Sequence, residues 1–104
     1  MYYIVSLKHT QKEDKYVTLW RPDNSGYCYA QDQAGQYETI IEGYHNGECN
    51  SLPFEVNYLD GFFINSEIIS KNQVKKCIPN CKQVWDVLGL KMTKNGLLKK
   101  PIKL

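Results

Sequence analysis

The chain opens on Tyr2-Tyr3-Ile4-Val5-Ser6-Leu7, a run rich in β-branched and aromatic residues, and turns polar from His9 to Lys15. That order predicts a strand followed by a turn. From Tyr16 to Trp20, Val17 and Leu19 share one face of an extended segment and Tyr16, Thr18 and Trp20 the other, which predicts a second strand antiparallel to the first. Pro22-Asp23-Asn24-Ser25-Gly26 combines a fixed φ, side chains that bond their own backbone and a glycine, a strong turn signal ahead of a third strand at Tyr27-Cys28-Tyr29. Residues 31–47 are polar and punctuated by Gly35, Gly43 and Gly47, and read as a loop with one turn of helix over Tyr37–Glu42.

Further along, Leu52-Pro53-Phe54-Glu55-Val56 predicts a strand at a sheet edge, because proline cannot donate to a ladder. Phe62-Phe63-Ile64 and Ile68-Ile69 are short apolar runs, strand or helix, that are expected to be buried. After Pro79, Asn80 is a candidate cap for a helix carrying Val84, Trp85, Val87 and Leu88 on one stripe, with Gly89 as its stop. Asn95-Gly96 lies between two candidate strands and signals a hairpin, although a helix broken at Gly96 fits the same residues. Lys99-Lys100-Pro101 reads as a mobile basic tail. The whole is expected to be one α+β domain over residues 1–104: a small antiparallel sheet of about four to five strands with one packed helix near the C-terminus, at Asn80–Leu88.

With 42% hydrophobic and 23% charged residues among 104, the chain belongs with ordinary globular domains and has length for a single core. No apolar run approaches the roughly 18 residues that cross a bilayer, and the start lacks a secretory leader, so no membrane and a cytoplasmic location are expected. In that reducing setting Cys28, Cys49, Cys77 and Cys81 are expected as thiols. Cys77 and Cys81 are the weak candidates for a zinc knuckle, but tetrahedral zinc needs a second short-spaced pair that the sequence lacks. His9 and His45 are the available bases for a thiol nucleophile, yet no local signature accompanies them, and neither a phosphate-cradling glycine loop nor a paired-carboxylate motif is present. The expectation is therefore no enzyme and no cofactor.

Charge divides the chain. Residues 1–70 hold four basic residues against ten acids, whereas residues 71–104 hold nine lysines against Asp86 alone. Either the halves neutralise each other across the fold or the basic third meets a polyanion. A nucleic-acid-binding module would use Lys75, Lys76, Lys82, Lys91, Lys94, Lys99, Lys100 and Lys103. Arg21 is the lone arginine, and the scarcity of bidentate forks argues against sequence-specific base reading.

The most distinctive segment is Trp20 to Tyr29. Trp, Tyr and Arg dominate binding hot spots, so Trp20, Arg21, Asp23, Asn24, Tyr27 and Tyr29 are the candidate partner-binding surface, against a reading in which Trp20 is core. The acidic Asp32, Glu38, Glu42 and Glu48 are candidates for mimicking nucleic-acid charge. His9, Thr10, Trp20 to Asn24, Gly26, Tyr27, Gly35 and Tyr37 together resemble a pattern found in small uncharacterised phage and prophage proteins. The resemblance spans about a third of the chain and contains no catalytic motif. It implies a phage accessory protein that binds and blocks a host protein or nucleoprotein, as an anti-CRISPR-like inhibitor of host defence does.

Overall fold

Strand β1 (Tyr2–Ser6) is the spine of the molecule in the computed structural model, which describes residues 1–47 and 50–101. It pairs antiparallel with β2 (Leu19–Trp20) through Val5 and Leu19, the pairing expected of the first two strands, although the second is shorter than the expected Tyr16–Trp20. On its other side β4 (Ser51–Glu55) pairs antiparallel with all five residues of β1. A third strand, β3 (Tyr27–Cys28), pairs antiparallel with β2, giving a four-stranded sheet in the order β3-β2-β1-β4. Pro53 thus lies on an edge strand, where its missing N–H leaves no gap in the ladder.

One face of the sheet carries the core. Tyr3, Val5, Leu7, Val17, Leu19 and Cys28 meet Leu59, Phe63, Ile78, Leu88, Leu90 and Leu97. Leu59, Leu88, Leu90 and Leu97 come from three short additions, helix α1 (Val56–Leu59), helix α2 (Lys82–Leu88) and the hairpin β7 (Leu90–Thr93) to β8 (Gly96–Lys99), and Phe63 and Ile78 from the connections between elements. The hairpin reading of Asn95-Gly96 holds, with Thr93 opposite Gly96 and Gly96 at φ +109°. The architecture is accordingly α+β, but its helices are short, and α1 lies well before the C-terminus.

Four expectations need correction. The two apolar runs at Phe62–Ile69 are only partly buried: Phe63 is core, but Ile64, 53% exposed, and the second run belong to β5 (Ile64–Ser70), which among the described residues pairs only with β6 (Gln73–Cys77). A two-stranded ribbon has no second layer to hide in, so the cross-strand neighbours Ile69 and Val74 are 67% and 51% exposed. Its turn is tight, with Lys71 and Asn72 both at positive φ. Secondly, no helix forms over Tyr37–Glu42, because Tyr37 exchanges both backbone hydrogen bonds with Tyr2 at 2.8 Å and is held extended.

Thirdly, Asn80 is not the helix cap; Cys81 occupies that position without a side-chain bond, and the helix begins at Lys82. Asn80 instead clamps: Nδ2 donates to the carbonyls of Gln11 (2.8 Å) and Asp14 (2.9 Å), while Oδ1 accepts from Trp85 Nε1 (2.8 Å). Lastly, Lys99 and Lys100 are not a loose tail. Lys99 ends β8, and the Lys100 amide donates to the Gly89 carbonyl at 2.8 Å.

Candidate functional site

The residues from His9 to His45 build one connected unit around Trp20. β2 alternates as expected, but both of its faces are covered: Leu19 enters the core, and Trp20, 8% exposed, is buried on the opposite face. Segment 37–45 folds back to cover that face, setting Tyr44 and His45 edge-on to the indole at centroid separations of 5.1 and 5.2 Å. Tyr27, opposite Trp20 in the ladder, closes the third side at 6.2 Å. Among the described residues Trp20 Nε1 has no hydrogen-bond partner.

The turn at Pro22–Gly26 is braced from two directions. The Tyr37 hydroxyl donates to the Arg21 carbonyl and accepts from the Asn24 amide. His45 Nδ1 accepts from the Ile41 amide at 2.9 Å, so Nε2 carries the hydrogen and donates to Asn24 Oδ1 at 2.8 Å. Gly35 is required where it stands, since a Cβ there would come within 2.8 Å of the Pro22 backbone. Thr10 completes the frame: its hydroxyl donates to the Ser6 carbonyl (2.7 Å) and accepts the Thr18 amide (3.0 Å). The residues of the His-Thr, Trp-Arg-Pro-Asp-Asn, Gly-Tyr and Gly-x-Tyr pattern are thus close in space, and most of them hold the shape of one corner rather than offering reactive groups.

That arrangement makes His45 a pH-sensitive clamp. Burial holds its imidazole below the usual histidine value, so the folded state binds its proton later than the unfolded chain does. The stabilising contribution is therefore complete above the unfolded value near 6.5 and is lost as pH falls through the lower folded value. We expect the unfolding free energy from urea denaturation to decline from pH 7.5 to 5.5 by at most about 1.4 kcal/mol per pH unit from this group. The decline should be shallower in His45→Gln. An equal slope in both proteins would place the titration elsewhere.

Outside this frame, along the free edge of β3, lies an open cleft of about 470 Å³ lined by His9, Thr18, Arg21, Tyr27, Cys28, Tyr29, Ala30, Gln33 and Ile68. Tyr27 and Tyr29 are 45% and 38% exposed. The His9 ring lies against Tyr27 at 4.3 Å. Arg21 Nε donates to the Tyr27 carbonyl at 2.8 Å, which fixes the guanidinium at the cleft. The far wall is tied to the sheet where the Tyr16 hydroxyl accepts the Glu67 amide at 2.8 Å and Tyr16 meets the Tyr29 ring. Of the proposed surface residues, Arg21, Tyr27 and Tyr29 meet in this cleft. Asp23 and Asn24 are exposed on the adjoining turn, and Trp20 lies beneath. His9, Thr18, Gln33 and Ile68 were missed, and only the His9-Thr10 pair carried any sequence signal.

Charged candidates are dispersed. Asp32 is paired with Lys75, and Asp86 takes both Lys82 (2.7 Å) and Lys100 (2.8 Å), which hold its carboxyl below the ordinary range. Of these pairs, Asp32–Lys75 joins the acidic and basic parts of the chain, whereas Asp86 and both of its partners lie in the basic third. Lys76, Lys91 and Lys94 are exposed on three different strands or turns, while Glu38 and Glu42 are exposed on the covering segment. Glu48, Cys49 and Lys103 lie outside the described residues.

Two of the thiols, Cys28 and Cys77, are quiet. Burial pushes Cys28 up to about 11, with Arg21 offsetting only part of the effect, and burial also raises Cys77. A thiol so shifted stays protonated at neutral pH and is a poor nucleophile or metal ligand. Among the described residues no cluster of His, Cys, Asp or Glu is arranged to hold a metal, and Cys77 and Cys81 bring no further ligands together. No helix of the described residues is long and apolar enough to cross a membrane.

Fold and site together define a small α+β domain with a rigid, aromatic-walled cleft at a sheet edge. Comparison with family models, curated proteins and solved structures returned no match.

Proposed function

We propose that this chain is a non-enzymatic binding protein that seats part of a protein or nucleoprotein partner in the β3-edge cleft and so blocks the partner's own surface. The observation that carries the reading is the meeting of Arg21, Tyr27 and Tyr29 in one open cleft on a braced frame. Tyrosine and arginine give large contact area at low entropic cost when their supports are already fixed. The raised Cys28 and Cys77 thiols and the scattered lysines favour this reading over nucleophilic catalysis at those cysteines and over a continuous polyanion track. A bacterial host target, a cytoplasmic setting and an anti-CRISPR-like role in blocking host defence are part of the proposal and rest on the resemblance to phage accessory proteins.

The test is capture of partners from nuclease-treated bacterial lysate by the wild-type chain and by Tyr27→Ala and Tyr29→Ala. Both variants should lose a stoichiometric protein partner; the thermal midpoint should move little in Tyr29→Ala and fall in Tyr27→Ala, whose ring also packs on Trp20 and His9, so Tyr29→Ala is the decisive variant. Undiminished capture by both variants would remove the cleft from the function. Capture that vanishes with nuclease treatment would transfer the function to the lysines.

A further inference from the structure

Resting on that reading, we infer that the cleft recognises a single carboxylate: an Asp or Glu side chain of the partner flanked by an apolar residue. Arg21 is the cleft's one permanently charged lining residue, and among the described residues it makes no ion pair. Its Nε is committed to the Tyr27 carbonyl, which leaves the two terminal nitrogens to offer the bidentate edge that matches a carboxylate. Tyr27, Tyr29 and Gln33 supply neutral polar groups around it, and Ala30 and Ile68 supply an apolar floor for the neighbouring side chain.

The border charges decide between a carboxylate and a phosphate backbone. Among the residues lining the cleft Arg21 alone carries a permanent charge, and the nearby Lys75 and Lys15 are paired with Asp32 and Glu67. One guanidinium balances one carboxylate. A nucleic-acid strand carries a charge on every phosphate and is held by several cations in a row, which this border does not provide.

The experiment is an amide-resolved NMR titration with N-acetyl-Leu-Glu-Leu-amide, its Gln counterpart and a short oligothymidylate. Shifts at Tyr27, Cys28, Tyr29 and Ile68 should saturate with the Glu peptide, with about tenfold or greater weakening for the Gln peptide. Arg21→Gln should bring the Glu peptide down to the Gln peptide's level, and Arg21→Lys should recover part of the difference. Equal affinity for the two peptides, or no shifts at the cleft, overturns the inference, and neither result requires a variant to fold. Oligothymidylate binding that is lost in Arg21→Gln would replace the carboxylate by a phosphate. Failure here is separable from failure of the broader reading: capture that survives Arg21→Gln but not Tyr29→Ala retains the cleft and removes only the carboxylate.

Discussion

Trp20→Ala is expected to destabilise the fold by about 3–5 kcal/mol, the range for removing a large aromatic from a closed site. The indole is surrounded by Tyr27, Tyr44 and His45, the last two from the segment that covers it. Without the ring, the covering segment loses its seat, and the Asn24–His45 and Tyr37–Asn24 bonds at its margin weaken with it. For a domain of this length each kcal/mol moves the thermal midpoint by roughly 4–8 °C, so calorimetry would record a fall well above 10 °C. Trp20→Phe is the informative partner. It keeps most of the apolar volume and deletes an N–H that has no partner, so its cost should stay below about 2 kcal/mol. A midpoint within about 2 °C of wild type for Trp20→Ala would instead show that the covering segment is held without it. Trp20 therefore belongs to the support of the binding surface, and any loss of partner capture in its alanine variant should track loss of fold.

Gly96→Ala should be comparably damaging, at about 3 kcal/mol or more, for two additive reasons. At φ +109° a side chain is strained whatever the space around it. Its Cβ would also stand 2.8 Å from the Leu7 carbonyl oxygen, with those of Lys8 and Thr10 at 3.2 and 3.3 Å. All three are backbone atoms, so none can rotate away. Relief requires β8 to lift from the end of β1, which breaks the bond from the Leu97 amide to the Leu7 carbonyl and draws Leu97 out of the core. Gly43→Ala separates the two causes, since Gly43 has φ +81° but nothing within 4 Å of a Cβ. It should cost only about 1 kcal/mol. Equal losses for the two variants in urea denaturation would assign the effect to backbone strain alone.

Much of the chain's local structure was legible in the residues themselves. The alternating runs at 2–7 and 16–20, the proline-led turn at 22–26, the edge placement that Pro53 imposes and the Asn95-Gly96 hairpin each depend on neighbouring residues, and each stands in the structure. What sequence could not supply was the second layer. A period of two says that Leu19 and Trp20 face opposite ways, but not that both faces are covered; that depends on residues 37–45 returning through the Tyr2–Tyr37 pairing. The same limit misplaced Ile64 and Ile69, whose apolarity suits a core but whose ribbon has no layer above it. Asn80 read as a cap because capping is local, whereas its hydrogen bonds reach residues 69 and 66 positions away. Counting charges showed two opposed halves, yet pairs such as Asp32 with Lys75, 43 residues apart, exist only because β6 passes the end of the sheet. The cleft is the clearest case. Local chemistry determined that Arg21, Tyr27 and Tyr29 belong to one turn-and-strand unit, and only the tertiary structure placed His9, Gln33 and Ile68 opposite them, since the burial and pairing that join distant segments leave no signature at any one of them.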